Sequence, residues 1–170
     1  MKSQMKISAI MLVLMGSATA SFAQATASSS ATATIVTPIS ITKTVDMNFG
    51  NVAVQTTPGG TVVLAPDGSR TKTGGVTLPN TAGTVTAASF NVAGQGVYTY
   101  AITLPSSALT ITSGANTMTV TTFTSTPSGT GTLTAGAQVL NVGATLNVAA
   151  AQPAGVYTSA TPFDVTVNYN

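Results

Sequence analysis

The feature that most constrains this chain is a strict two-residue alternation of apolar and polar side chains. Its clearest run places apolar residues on one face and polar or small residues on the other: Leu140, Val142, Ala144, Leu146 and Val148 against Asn141, Gly143, Thr145 and Asn147. The segments 98–104 and 163–169 repeat this pattern. Such alternation is typical of antiparallel strands with one packed face and one wet face. Because nothing beyond residue 30 has helical spacing, the sequence predicts an all-β fold.

Turn sequences divide the rest of the chain into short strands. We predict further strands near 32–44, 47–54, 60–65, 76–78, 85–92, 109–112 and 117–124. In the last of these the apolar phase slips between Val120 and Phe123, which predicts a β-bulge. The polar segments 66–75 and 126–131 are predicted as loops. About nine or ten strands of this length predict an immunoglobulin-like Greek-key antiparallel β-sandwich, with a closed barrel as the alternative.

Residues 1–23 have the three-part layout of a cleaved secretory signal, with Lys2 and Lys6 before a short apolar run and small residues after it. We predict cleavage after Ala23, with Ala20 as the alternative. The apolar run is about half as long as the roughly 20 residues of a membrane span. We therefore expect an exported protein of the periplasm, cell surface or medium, with no transmembrane span in the mature chain. Residues 24–30 are predicted as a flexible lead-in, and 31–170 as a single β-sandwich domain.

Charge is scarce in this sequence. Charged residues make up 5% of the chain, whereas about 25% is usual for a soluble domain. Beyond residue 23, three positive side chains balance three negative ones: Lys43, Arg70 and Lys72 against Asp46, Asp67 and Asp164. No basic patch is available to attract phosphates, so we predict no nucleic-acid binding. The 33 threonines, many in T-x-T pairs, supply hydroxyls that wet a sheet without charge, and threonine favours strands.

The residue types that carry most catalysis and metal binding are missing. The chain has no His and no Cys, which removes the common nucleophile–base pairs and the usual zinc ligands. The three aspartates lie in separate segments, and Asp46-Met47-Asn48 lacks the further ligands that calcium requires. We therefore predict no enzymatic activity, no cofactor and no metal site.

The two ends of the predicted domain have the character of edge strands. Alternate positions from Ala31 are largely apolar, and Ile35, Ile39 and Ile41 are the candidate contacts of a donor or edge strand. Pro38 lacks an amide donor and suits an edge. The residues of the C-terminal candidate edge strand are Gly155, Phe163, Val165, Val167 and Tyr169. Long uncharged edges tend to add strands from other chains.

Several segments together resemble a family of exported bacterial proteins of unknown function (DUF-type), related by fold to fimbrial subunits and to spore-coat-U-type secreted proteins. They are Phe49-Gly50, Gly94, Tyr98-x-Tyr100-x-Ile102-x-Leu104-Pro105, Leu140-x-Val142-Gly143-Ala144-x-Leu146, Gly155-Val156-Tyr157 and Val165-Thr166-Val167-Asn168-Tyr169-Asn170. The resemblance covers nearly all of residues 31–170. It implies a Gram-negative bacterial protein with an immunoglobulin-like sandwich.

The resemblance also implies assembly into surface fibres through a periplasmic chaperone and usher. In such subunits an N-terminal strand of one molecule completes the sheet of the next, a form of β-strand addition. A glycine before the last strand and a penultimate tyrosine are typical of subunits that chaperones recognise, and Gly155 and Tyr169 match those positions. The disulfide of many such subunits is missing here.

We therefore expect a secreted structural or surface protein, a fimbria-like subunit that forms homo-oligomers or fibres by β-strand addition. The alternative is a self-complete monomeric binding module of adhesin type. Such a module would hold a glycan or a host protein through loops such as 94–97 or 125–131.

Overall fold

The structure, a computed structural model, describes residues 24–170. The predicted signal segment and its cleavage site lie outside the described residues. Within the described range the chain forms twelve strands and no helix, so the predicted all-β class is confirmed. No helix of the described residues could therefore span a membrane. The strands are β1 Ser40–Val45, β2 Ala53–Val54, β3 Gly60–Leu64, β4 Arg70–Gly74, β5 Val76–Thr77, β6 Ala88–Ala93, β7 Thr99–Thr103, β8 Leu109–Ser113, β9 Asn116–Thr126, β10 Thr130–Thr132, β11 Ala137–Val148 and β12 Thr166–Tyr169.

The twelve-residue strand β11 organises the larger sheet. Along one edge its first half pairs with β6 and its second half with β3, while β9 pairs along the other edge. The path β1-β6-β11-β3-β4 therefore uses a single edge of β11, since β6 and β3 lie end to end along it. On the other edge of β11 the sheet continues with β9 and then β8. This central position explains the clear alternation of β11, because its apolar side chains from Leu140 to Val148 all lie on the buried face of the sheet while both backbone edges are paired.

A second layer packs on part of this sheet. The three-stranded sheet β10-β7-β12 faces β1, β6 and the first half of β11. Between the layers lies a first core cluster of buried side chains: Ala88, Phe90, Val92, Tyr100, Leu133, Leu140, Val142 and Val167. The molecule is therefore an antiparallel β-sandwich, and all of its strand pairs are antiparallel.

The other half of the large sheet carries a second core cluster. Its buried members are Val62, Val76, Val120, Ala144, Leu146 and Val148. They are covered by the short pair β2–β5 and by half-buried residues around Met47 and Phe49 rather than by the three-stranded sheet. Arg70 holds this covering segment, because its guanidinium donates hydrogen bonds to the carbonyls of Phe49 and Asn51.

The structure corrects several of the predicted boundaries, including the strand predicted at 47–54, which is formed only at Ala53–Val54. The N-terminal strand predicted at 32–44 is formed only at Ser40–Val45, which pairs with β6. The segments 66–75 and 126–131, predicted as loops, contribute the edge strands β4 and β10. Strand β4 is mostly exposed on both faces, and the buried position of β10 is a glycine, Gly131, so no apolar alternation marks either strand in the sequence. The bulge predicted in β9 is confirmed, because the register with β11 shifts there and Thr122 has a φ of 51°.

Candidate functional site

An open groove of about 950 Å³ runs along the second core cluster. Its floor is apolar and comes from the inner face of the large sheet: Leu109, Ile111, Met118, Val120, Leu146 and Val148. One wall is the segment 43–54, and the other includes residues 152–159 together with Pro162 and Phe163. Lys43 and Asp46 are the charged residues in its lining, and they pair with each other at 2.5 Å on the exposed rim. The groove is therefore suited to a neutral, largely apolar occupant.

The sandwich architecture explains why this groove is open. The apolar side chains that the three-stranded sheet contributes, including Tyr100 and Val167, belong to the first core cluster, as does Leu133 just after β10. The second cluster has no equivalent layer above it, since β2 and β5 have only two residues each. Apolar side chains of β8 and β9 therefore line a depression instead of a closed core. The sequence indicated strands here but not which strands would lack a cover.

Strand β8 forms the margin of the large sheet beside the groove. Within residues 24–170 its backbone partner on that side is Thr158: the amide of Thr112 donates to the carbonyl of Thr158 at 2.8 Å, and the amide of Thr158 donates to the carbonyl of Thr112 at 3.0 Å. Nearby, the Gln152 side-chain amide donates to the carbonyl of Thr117 at 3.1 Å. The loop containing these residues is largely exposed, and Val156 is 82% exposed. A small number of hydrogen bonds thus hold the loop against β8.

The three isoleucines of the predicted donor or edge strand have different surroundings. Ile41 lies in β1, an edge strand that pairs with β6 of its own sheet, and Ile39 precedes it. Both are half-buried against the first core cluster. Ile35 is 93% exposed and belongs to no strand. Residues 24–39 form no strand in the structure, so Ile35 remains free for other contacts, whereas Ile39 and Ile41 pack within their own domain.

Thr37 anchors the start of the compact unit Ile35–Asn170. The Tyr169 hydroxyl donates to the Thr37 carbonyl at 2.8 Å and accepts from the Gln95 amide at 2.6 Å. The Thr37 hydroxyl donates to Gln95 Oε1 at 2.9 Å. The ring of Tyr98 packs on Tyr169, with the ring centroids 5.5 Å apart. The sequence singled out Tyr169 as an edge residue, but nothing in it signalled a partner 132 positions away.

The other residues of the predicted C-terminal edge strand do not form one continuous strand. Val167 is buried in β12, which pairs with β7, and Phe163 and Val165 precede the strand and pack against the first core cluster. Gly155 lies in the loop at the mouth of the groove, where an added Cβ would meet the Ser113 hydroxyl. The glycine is therefore separated from the final strand by sequence and by structure.

The two loops considered for ligand binding differ in exposure. Loop 94–97 presents Val97, which is 74% exposed, next to Tyr98 at 47%. In the segment 125–131, Ser125 is a buried residue of β9 whose hydroxyl donates to the Pro127 carbonyl at 2.7 Å. Only the first of these loops offers an apolar contact surface.

Asp67 and Asp164 do not line the groove, and Asp46 lies on its exposed rim. In residues 24–170 no three His, Cys, Asp or Glu side chains come together in a way that could hold a metal ion. Asp67 sits in the β3–β4 turn, where the Ser69 amide and hydroxyl donate to its carboxylate at 2.8 and 2.6 Å. These hydrogen bonds, the hydroxyl first, lower the pKa of Asp67. That arrangement stabilises a turn and needs no catalytic explanation.

Threonines cover the outer face of the large sheet. The strand registers align side chains from five strands in one row: Thr73, Thr61, Asn147, Thr119 and Thr110. Two neighbouring pairs in the row are hydrogen-bonded: the Thr61 and Thr73 hydroxyl oxygens are 2.7 Å apart, and the Asn147 side-chain amide donates to the Thr119 carbonyl at 3.2 Å. The T-x-T pairs are irregular along the chain, yet pairing between strands makes them regular across the sheet. The groove lies on the opposite face of this half of the sheet, and that face is the apolar one.

Comparison with known proteins gives one relationship. Residues 39–169 match the family model described as "Domain of unknown function (DUF4402)". This match spans β1 to β12 and agrees with the predicted membership of a DUF-type family. No curated protein matches the chain, and no solved structure matches it. The relation to fimbrial subunits remains a prediction.

Proposed function

Since the chain belongs to the DUF4402 family, a family without a known function, we propose its role from the groove: it is an exported structural subunit that assembles by β-strand addition. The N-terminal segment of one copy would lie in the groove of the next. The observation that carries this proposal is an apolar groove in a chain whose residues 24–39 form no strand of their own. A periplasmic chaperone and usher would be the expected assembly partners.

The chemistry of the two surfaces supports this pairing. Residues 24–42 contain no charged side chain, and the groove lining has one pair of opposite charges at its rim. A neutral segment therefore enters the groove without desolvating an unpaired charge, a step that would be costly. Ile35 is the large exposed side chain of the segment. Its burial would contribute about 1.5–3 kcal/mol of binding free energy, which offsets part of the conformational entropy that the segment loses on becoming ordered.

Deletion of residues 24–36 tests the proposal. We expect the exported chain to form multimers that survive mild detergent, and the deletion to leave a monomer in size-exclusion chromatography with light scattering. Thermal unfolding of the deleted monomer should be nearly unchanged, because the removed residues are largely exposed and form no strand. The Tyr169–Thr37 hydrogen bond is retained in this variant. Multimers that persist after the deletion would rule out the N-terminal segment as donor.

A matched pair of point variants tests whether assembly requires the N-terminal segment to be buried. Ile35→Asp should abolish the multimers, because a buried unpaired carboxylate is strongly disfavoured. Ser28→Asp adds the same charge in the lead-in and should leave assembly intact. Equal effects of the two variants would mean that net charge, and not the occupied groove, controls association.

The second candidate function is a monomeric binding module. The observation in its favour is the exposed pair Val97 and Tyr98 beside loop 94–97, since exposed apolar side chains often mark interaction sites. A monomeric protein that binds immobilised glycans, and loses binding on Tyr98→Ala, would support this alternative over the structural subunit.

A further inference from the structure

The edge strands of the two sheets differ in how they are protected. Within the described residues, five strands of the two larger sheets pair on one side only: β1, β4, β8, β10 and β12. Charged side chains protect two of these edges, since β1 carries Lys43 and β4 carries Arg70 and Lys72. Lysine on an edge strand discourages pairing with another chain. The edges of β8, β10 and β12 carry no charge.

Of the three uncharged edges, only β8 borders the groove. Leu109 and Ile111 of β8 are part of the groove floor, whereas no residue of β10 or β12 lines it. A strand added beside β8 would therefore extend the large sheet and also place every second side chain over the second core cluster. The edges of β10 and β12 would offer backbone hydrogen bonds without the apolar contacts.

The backbone of β8 has room for such a strand. Thr112 exchanges two hydrogen bonds with Thr158 on the side away from β9. Because backbone groups alternate in direction along a strand, the amide and carbonyl of Thr110 point to the same free side. The structure describes no backbone partner for Thr110 there. Residue 158 thus occupies one end of an edge that is otherwise available.

We infer that the edge of β8 is the acceptor site, and that residues 31–36 of a second copy pair along it after the loop around Thr158 moves away. This inference rests on the proposed function. Six extended residues span about 20 Å and the five of β8 about 17 Å, so the lengths correspond. Ala31, Ala33 and Ile35 would face the groove beside Leu109 and Ile111. Thr32, Thr34 and Val36 would join the threonine-covered outer face.

Intermolecular disulfides can test this pairing cleanly, because the natural chain contains no cysteine. One population carries Thr110→Cys, and a second carries a cysteine at one outward-facing donor position, Thr32, Thr34 or Val36. After mixing and mild oxidation, at least one donor position should give a cross-linked dimer. Disulfides need Cα atoms within roughly 7 Å, so the band reports neighbouring strands. The matched control is Thr73→Cys, an exposed outer-face threonine on the charged edge β4, and it should give no band.

The outcomes separate this inference from the proposed function. Cross-links to position 110 that are lost when Ile35→Asp is added to the donor support the β8 site. If multimers form but no cross-link forms at position 110, the β8 assignment is wrong, while assembly by strand addition still stands. The same conclusion follows if cross-links form only at position 73. A cysteine-free chain that stays monomeric at all concentrations overturns the proposed function and the inference with it.

Discussion

Tyr100 shows how one residue joins three strands. Its side chain is fully buried on β7, and its hydroxyl donates to Gln138 Oε1 of β11 at 2.7 Å. The same Gln138 oxygen accepts from the amide of Thr132 in β10 at 3.0 Å. Burial raises the pKa of Tyr100, since the charged phenolate is poorly solvated there.

Tyr100→Phe should lower the free energy of unfolding by about 1–2 kcal/mol, because a buried hydrogen bond to Gln138 is lost while the ring still packs. Tyr98→Phe is the control, since Tyr98 is 47% exposed, and it should have little effect. Urea denaturation followed by circular dichroism measures both. Equal stabilities of Tyr100→Phe and the parent would mean that the hydrogen bond contributes nothing net.

Leu140→Ala should destabilise the protein by about 2–5 kcal/mol, because it empties part of the first core cluster. Leu140 is 0% exposed, whereas its neighbour Val139 points outward and is 58% exposed. Val139→Ala is therefore the matched control and should change stability by less than about 0.5 kcal/mol. The same denaturation experiment compares the two variants, and a reversed order would contradict the assignment of faces on β11.

At the scale of elements, the bulge in β9 keeps two apolar segments on one face. Two residues of β9 are accommodated opposite one of β11 between the pairs Thr121–Thr145 and Thr124–Gly143. Val120 before the bulge and Phe123, the second of its two residues, can then both face the core clusters. The required backbone gives Thr122 a φ of 51°, a conformation that costs a β-branched residue about 1–3 kcal/mol.

Thr122→Gly should consequently stabilise the protein, by up to about 2 kcal/mol after the entropic cost of glycine is subtracted. Thr124→Gly, two residues further along β9 and without a positive φ, should instead destabilise it by about 0.5–1 kcal/mol. Differential scanning calorimetry would show opposite shifts in Tm. Shifts of the same sign would indicate that the bulge is not strained.

Whether a strand could be predicted from the sequence depended on whether one of its faces is packed with apolar side chains. Strands with one packed face, such as β9 and β11, were evident from alternation alone, and even the bulge was visible as a change of phase. Strands β4 and β10 could not be recognised from alternation, because β4 is mostly exposed on both faces and the buried residue of β10 is Gly131, which has no apolar side chain. The N-terminal prediction was too long because apolar alternation continues through Ile35, where the structure has no partner strand.

The groove could not be predicted for a different reason. It depends on which strands the three-stranded sheet covers, a property of strand order between segments as distant as Leu109 and Gln152. Alternation reports that a strand has an apolar face but not whether another layer closes over it. Candidate donor residues were therefore identifiable from sequence, whereas their acceptor was not.

At the scale of the whole molecule, the scarcity of titratable groups leads to a simple expectation about the pH dependence of stability. With no His and no Cys, no side chain has an ordinary pKa between about 5 and 8. We expect the unfolding midpoint in urea to stay constant over that range. A transition near neutral pH would contradict this.

Stability should fall outside that range for two identified reasons. The lowered pKa of Asp67 gives a contribution that is present above its ordinary value of about 3.9 and is lost as the pH falls through the folded pKa. The raised pKa of Tyr100 gives a contribution that is complete below about pH 10 and is lost as the pH rises further. Tyr100→Phe should flatten the alkaline side when Tm is measured against pH.

The bond between the Tyr169 hydroxyl and the Thr37 carbonyl places both ends of the compact unit at one corner. A polypeptide whose ends meet in this way can be circularly permuted: a short linker would join them, and new termini could be opened at the exposed Gly114 hairpin tip between β8 and β9. For the same reason the unit could be carried as an insert within a larger protein, entering and leaving its host at neighbouring points without disturbing either sheet.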